Sequence, residues 1–136
     1  MVVDYLRDTS PFYIYSNPIT PAEAVVASTA LDVAASHEGL RLLEKLRGFS
    51  VRLRSGLEEL GFETLPGEHP IVPVFIRDTE KTSALVAHLF ACNILVTGLN
   101  YPVVPQGEQE IRLQISAAHT EKDLDYLLAK LADYNQ

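Results

Sequence analysis

From Ile111 to Ser116 the chain alternates without a break: Ile111, Leu113 and Ile115 are apolar, while Arg112, Gln114 and Ser116 are polar. A repeat of two is the side-chain period of a β-strand, so this stretch predicts a strand with one face on a core and one face away from it. A strand of that kind needs neighbours beside it and a cover over its apolar side. The β-rich run Ile71 to Ile76 and the shorter run Ile94 to Thr97 predict neighbouring strands. The cover must come from helices, whose signals fill most of the remaining chain.

Thr20-Pro21-Ala22-Glu23 is a capping box with Pro at the first helical position, where its missing N–H costs nothing. The apolar run Ala24 to Ala35 that follows predicts a helix buried on more than one side. A second helix is predicted from about Glu38 to Leu60, with Leu42, Leu43, Leu46, Phe49, Leu53, Leu57 and Leu60 at three- and four-residue steps. Gly61 then supplies a left-handed stop. A third is predicted over Thr79 to Cys92, with Leu85, Val86, Leu89 and Phe90 on one side, and a last one from Thr120, capped by Asp123 and carrying Leu124, Leu127, Leu128 and Leu131. Two helices followed by β-α-β-β-α define an α+β class, a small and mainly antiparallel sheet covered by helices. Residues 1–19 hold an aromatic run between Pro11 and Pro18 and read as an extended connecting segment, with residues 20–136 as the one domain. Exposed aromatics on such a segment mark an interface, so self-association is expected.

The formal charge of −7 argues against a nucleic-acid partner, which calls for a clustered basic face. No apolar run reaches the roughly 20 residues of a membrane helix, and the N-terminus lacks a signal-peptide pattern, so a cytoplasmic protein is expected. With Cys92 as the single cysteine no internal disulfide can form; in Leu89-Phe90-Ala91-Cys92 it reads as a small hydrophobe rather than a nucleophile.

Arg112 is the residue of interest for chemistry. On the polar side of its strand it is either a solvated surface residue or a clamp for a carboxylate, whose two oxygens match the guanidinium fork. The loop Gly98 to Gly107 has two prolines and several apolar residues, which suits either a pocket wall or packing on the protein body. His119 sits directly before a helix start and reads as structural. His37, His69 and His88 show no metal-ligand spacing, so no metal site is expected.

The wording Tyr101-Pro-Val-Val-Pro-Gln-Gly, followed by Ile111-Arg-Leu-Gln-Ile-Ser-Ala-Ala-His-Thr120, closely resembles the C-terminal signature of the α-oxoamine synthases. These include glycine C-acetyltransferase (2-amino-3-ketobutyrate CoA ligase), whose branch it resembles most. Tyr5-Leu6-Arg7, Tyr15-Ser16-Asn17 and Pro21-Ala22 are similar to the same family's approach to its C-terminal domain, so the likeness spans nearly the whole chain. It implies the small domain of a fold-type I pyridoxal-phosphate enzyme, a homodimer that joins glycine or another small amino acid to an acyl-CoA. Arg112 matches the family's substrate-carboxylate arginine. Ser16 and Asn17 match positions that reach the cofactor of the partner subunit.

The departures carry weight as well. The family's Schiff-base lysine, the aspartate at the pyridine nitrogen and the glycine-rich phosphate turn belong to its large domain, and Lys45, Lys81, Lys122 and Lys130 match no catalytic position. A chain without that lysine is expected to be inactive alone. Glu110 stands where many relatives carry a basic residue. The alternative reading is a stand-alone, non-catalytic module that binds a small carboxylate or another protein.

Overall fold

The computed structural model describes residues 1–134. The chain divides into two units, Met1–Gly39 and Leu40–Gln136.

The first unit is mainly helical. Helix α1 (Val2–Thr9) and the single turn α2 (Pro11–Ile14) lie in the region expected to be extended, which corrects that expectation for residues 2–14, while residues 15–20 are not helical. The cause is local: Asp4 in the first turn and Arg7 in the last complement the helix dipole, and Pro11 sits at the first position of α2, where proline is tolerated. Helix α3 (Pro21–Ala35) begins at the capping box read from the sequence. The Glu23 amide donates to Thr20 Oγ1 at 3.2 Å, and the Thr20 amide to Glu23 Oε2 at 2.7 Å. At its end Ser36 Oγ donates to the Val33 carbonyl at 2.6 Å and accepts from the Gly39 amide at 3.1 Å, which turns α3 into α4 (His37–Glu59). Only glycine fits at position 39, because a Cβ there would stand 2.2 Å from the Val33 carbonyl oxygen. No residue of α1, α2 or α3 is buried, so the deep burial expected for α3 is not found among the described residues.

The second unit is built on an antiparallel sheet of β1 (Glu63–Thr64), β2 (Ile71–Phe75), β3 (Thr97–Leu99) and β4 (Glu110–Gln114), ordered β1-β2-β4-β3. Gly61, in the left-handed region at φ +80°, ends α4 as predicted. Helix α5 (Thr79–Ala91) follows a bulge at the end of β2, where the Ile76 and Arg77 amides both donate to the Gln109 carbonyl at 2.9 Å. The strand expected at Ile94 to Thr97 lies later. Asn93 adopts φ +60° and the Ile94 amide returns to the Leu89 carbonyl at 2.9 Å, a Schellman closure that consumes those residues as the cap of α5. Helix α6 (Glu121–Tyr134) opens on a second capping box, with the Thr120 amide donating to Asp123 Oδ2 at 2.7 Å.

One face of the sheet is covered. Val72, Val74, Ile111 and Leu113 meet Leu53 and Leu57 of α4, Leu85 and Leu89 of α5, and Leu124 and Leu131 of α6. On α5 the third buried position is Thr82 rather than Phe90, which is 69% exposed; the 82-85-89 spacing defines the inward stripe and Phe90 falls beside it. Glycine brings the layers close: a Cβ at Gly56 would stand 2.6 Å from Leu128 Cδ1 of α6. Arg54 ties the loop before β2 to α4, donating to the carbonyls of Leu65 (2.9 Å), Ser50 (3.2 Å) and His69 (2.8 Å). Its burial pulls the guanidinium below its usual range.

Candidate functional site

The strict alternation of β4 is what positions Arg112. Ile111, Leu113 and Ile115 are buried, and Arg112 and Gln114 are exposed on the other face. Arg112 lies between Pro73 of β2 and Thr97 of β3, both of which pair with it in register. Around its side chain is a recess of about 350 Å³, lined by Ile71, Leu95, Val96, Thr97, Arg112 and Gln114. A second cleft of about 320 Å³ shares Leu95, Val96 and Gln114 with it and extends to His119 and Asp123.

One hydrogen bond defines the guanidinium. Arg112 Nε donates to Glu110 Oε1 at 2.7 Å, with the arginine side chain 51% exposed and the glutamate 7%. The terminal nitrogens Nη1 and Nη2 make no hydrogen bond or ion pair among the described residues. Two parallel N–H donors on a planar group, facing a recess, suit the two oxygens of a carboxylate. Glu110 was missed as a member of the site. Its spacing of two from Arg112 places both on one face, but the same pattern reads Glu110 as solvent-exposed, whereas it is buried.

The other candidates separate. Ser16 and Asn17 lie in the first unit and are exposed; Ser16 Oγ donates to the Tyr13 carbonyl at 3.1 Å. His119 is structural, its Nδ1 accepting from the Ser116 amide at 3.1 Å and its carbonyl accepting from Lys45 Nζ at 2.8 Å. Tyr101 is 63% exposed, on a loop whose Tyr101–Pro102 bond is cis. Cys92 is half-buried. Across the sheet edge Arg77 pairs with Glu63; that hydrogen-bonded contact holds the Glu63 carboxyl below its ordinary range and raises the Arg77 guanidinium. Thr120, donating through its amide and hydroxyl, holds Asp123 low in the same way.

The profile of the aminotransferase class I and II family matches residues 1–131. The chain belongs to that family. Its relatives include α-oxoamine synthases. Mitochondrial 2-amino-3-ketobutyrate coenzyme A ligase of Mus musculus is 38% identical over 124 residues, covering 91% of this chain and 29% of the relative. The 8-amino-7-oxononanoate synthase of Marinobacter nauticus is 37% identical over 132 residues, covering 97% and 33%. Solved serine palmitoyltransferases share the fold: one from Sphingomonas wittichii has a TM-score of 0.86, and one solved with pyridoxal phosphate as internal aldimine a TM-score of 0.88. Each is 22% identical and covers 97% of this chain and 33% of its own. The chain thus spans about a third of the length of the relatives it matches, and corresponds to their C-terminal part, with the α+β fold read from the sequence. Among the described residues no helix is long and apolar enough to cross a membrane.

Pyridoxal phosphate requires an amine for its Schiff base, and the lining of the recess at Arg112 does not fit that need. No lysine lines the recess at Arg112. Lys45 Nζ is engaged with the carbonyls of Ala117 and His119, at 2.7 and 2.8 Å, and Lys130 Nζ with Asp133 at 2.6 Å. The hydrogen bond to Asp133 also raises the Lys130 ammonium above its ordinary range.

Proposed function

We propose that this chain is the C-terminal part of a pyridoxal-phosphate-dependent acyl-CoA:amino acid C-acyltransferase of the glycine C-acetyltransferase type. Within it Arg112 holds the substrate carboxylate. The observation that carries the reading is the open pair of terminal nitrogens on Arg112, set on β4 within a sequence that matches the family from residue 1 to residue 131. The cofactor amine and the acyl-CoA site would come from the large domain of the complete enzyme, and Ser16 and Asn17 would approach the cofactor of the partner subunit in a cytoplasmic homodimer. The chain by itself is then inactive, because no lysine lines the recess at Arg112 to hold the cofactor covalently.

The test is complementation. The chain is mixed with a separately produced large domain of a 2-amino-3-ketobutyrate CoA ligase, and release of free CoA from acetyl-CoA is followed with glycine present. Glycine-dependent release that requires both pieces, and that falls at least about a hundredfold with Arg112→Ala, supports the reading; loss of a two-pronged charge-assisted carboxylate contact is worth roughly that much. Release that is indifferent to Arg112→Ala removes the carboxylate role.

A further inference from the structure

We infer that Glu110 is a positioning residue for Arg112: it occupies the Nε corner of the guanidinium and thereby aims the two terminal nitrogens at the recess. The inference rests on the carboxylate-binding reading of Arg112. Three observations carry it. First, Glu110 lies two residues before Arg112 on β4 and pairs with Phe75 and Leu99, so an apolar residue stands on each side of it in the sheet. Second, its side chain is only 7% exposed although it shares the uncovered face of the sheet with Arg112, which is 51% exposed. Third, its hydrogen bond reaches Nε at 2.7 Å and not the terminal nitrogens.

A carboxylate shut away from water needs a hydrogen-bonding partner, and breaking that contact leaves a buried polar group unsatisfied. Glu110 therefore holds the arginine in one geometry. An arginine side chain otherwise samples many rotamers, and freezing it is an entropic cost that each binding event would have to meet. A contact at Nε removes that cost in advance and leaves the end-on fork, Nη1 with Nη2, free for the ligand. The same carboxylate also places a negative charge near the incoming anion, which opposes binding. The two effects have opposite signs, and substitution can part them: glutamine keeps an acceptor for Nε and removes the charge, whereas alanine removes both.

The experiment uses the full 136-residue chain, labelled with nitrogen-15 and titrated with sodium acetate while the Arg112 Nε–H signal and the β4 amides are followed. Glu110→Gln is expected to bind acetate at least as tightly as the unmodified chain. Glu110→Ala is expected to bind about five-fold more weakly than Glu110→Gln, the size set by ordering one rotamer-rich side chain. Retention of the β2–β4 amide pattern in both variants shows that the sheet is intact. Equal or tighter binding by Glu110→Ala than by Glu110→Gln overturns the inference, since Glu110 would then act only as an opposing charge. If acetate moves no Arg112 signal in the unmodified chain, or Arg112→Ala binds equally well, the carboxylate reading itself fails and the positioning role falls with it.

Discussion

Helices α3 and α6 begin alike. Each opens on a threonine whose hydroxyl accepts from the backbone amide, and whose own amide donates to the carboxylate, of an acidic residue three positions on: Glu23 for Thr20 and Asp123 for Thr120. They are of similar length, 15 and 14 residues, yet α6 buries Leu124 and Leu131 while α3 buries nothing. Val25, Val26 and Leu31 of α3 are 65–71% exposed. Local chemistry decides that a helix starts; a facing surface decides whether its apolar side stabilises anything. The second unit has such a surface in its sheet. In the first unit the Ala- and Val-rich side of α3, with Phe12 and Tyr15 nearby in sequence, stays uncovered among the described residues. That is the pattern of an interface, and it agrees with a chain that spans about a third of its relatives' length.

The comparison breaks most visibly at buried leucines. Leu57→Ala, at a position with no exposed surface, should cost about 2–5 kcal/mol in the second unit, whereas Val26→Ala in α3 should cost less than about 0.5 kcal/mol. Urea unfolding followed by circular dichroism measures both, and similar losses would mean that α3 is buried in solution. Next in size is Arg54→Met, which removes three hydrogen bonds to backbone carbonyls at once and should cost about 2–4 kcal/mol on the same assay. A loss within the noise would show that water replaces the guanidinium without penalty.

The caps sharpen the contrast further. Thr120→Ala should lower global stability by about 1 kcal/mol. Thr20→Ala removes a cap of the same kind, yet it should speed amide exchange within α3 and leave the midpoint of the second unit in place. A shared shift of both units would mean that they unfold as one. Smallest of all is the pH effect. Thr120 holds Asp123 below the ordinary carboxyl range, and Thr20 does the same for Glu23. A depressed folded-state value contributes stability above the unfolded value and loses it as pH falls through the folded one. Asp123→Asn should therefore flatten the acid limb of unfolding in the second unit, and Glu23→Gln only the acid loss of α3 helicity. An acid limb unchanged by Asp123→Asn would remove that contribution.

What could be read from the sequence follows the range of the forces involved. Capping boxes, the Gly61 stop and the alternation of β4 are written within a few residues, and they appear where the pattern puts them. The resemblance carried by residues 101–120 reached further than physics alone, and the family match agrees with it. Among the features that were not legible are three in the second unit. The short strand β1 has two residues, too few for any periodic signal. The shift of β3 depends on Asn93 taking a left-handed conformation, a choice made by the helix closure. The burial of Glu110 depends on neighbouring strands, Phe75 on one side and Leu99 on the other, which local alternation cannot see. The exposure of Arg112 was legible for the opposite reason: a charged residue fixed by register on an uncovered face needs only the period of two.

As proposed, this chain supplies the carboxylate-binding part of a pyridoxal-phosphate enzyme and not its covalent cofactor site. The most direct measurement is a titration of the purified chain with pyridoxal phosphate, read as visible absorbance, with glycine added at the end. The account predicts no saturable Schiff-base band and no change with glycine. A saturable band that shifts on adding glycine would mean that Lys45, Lys81, Lys122 or Lys130 completes a cofactor site, and would contradict it.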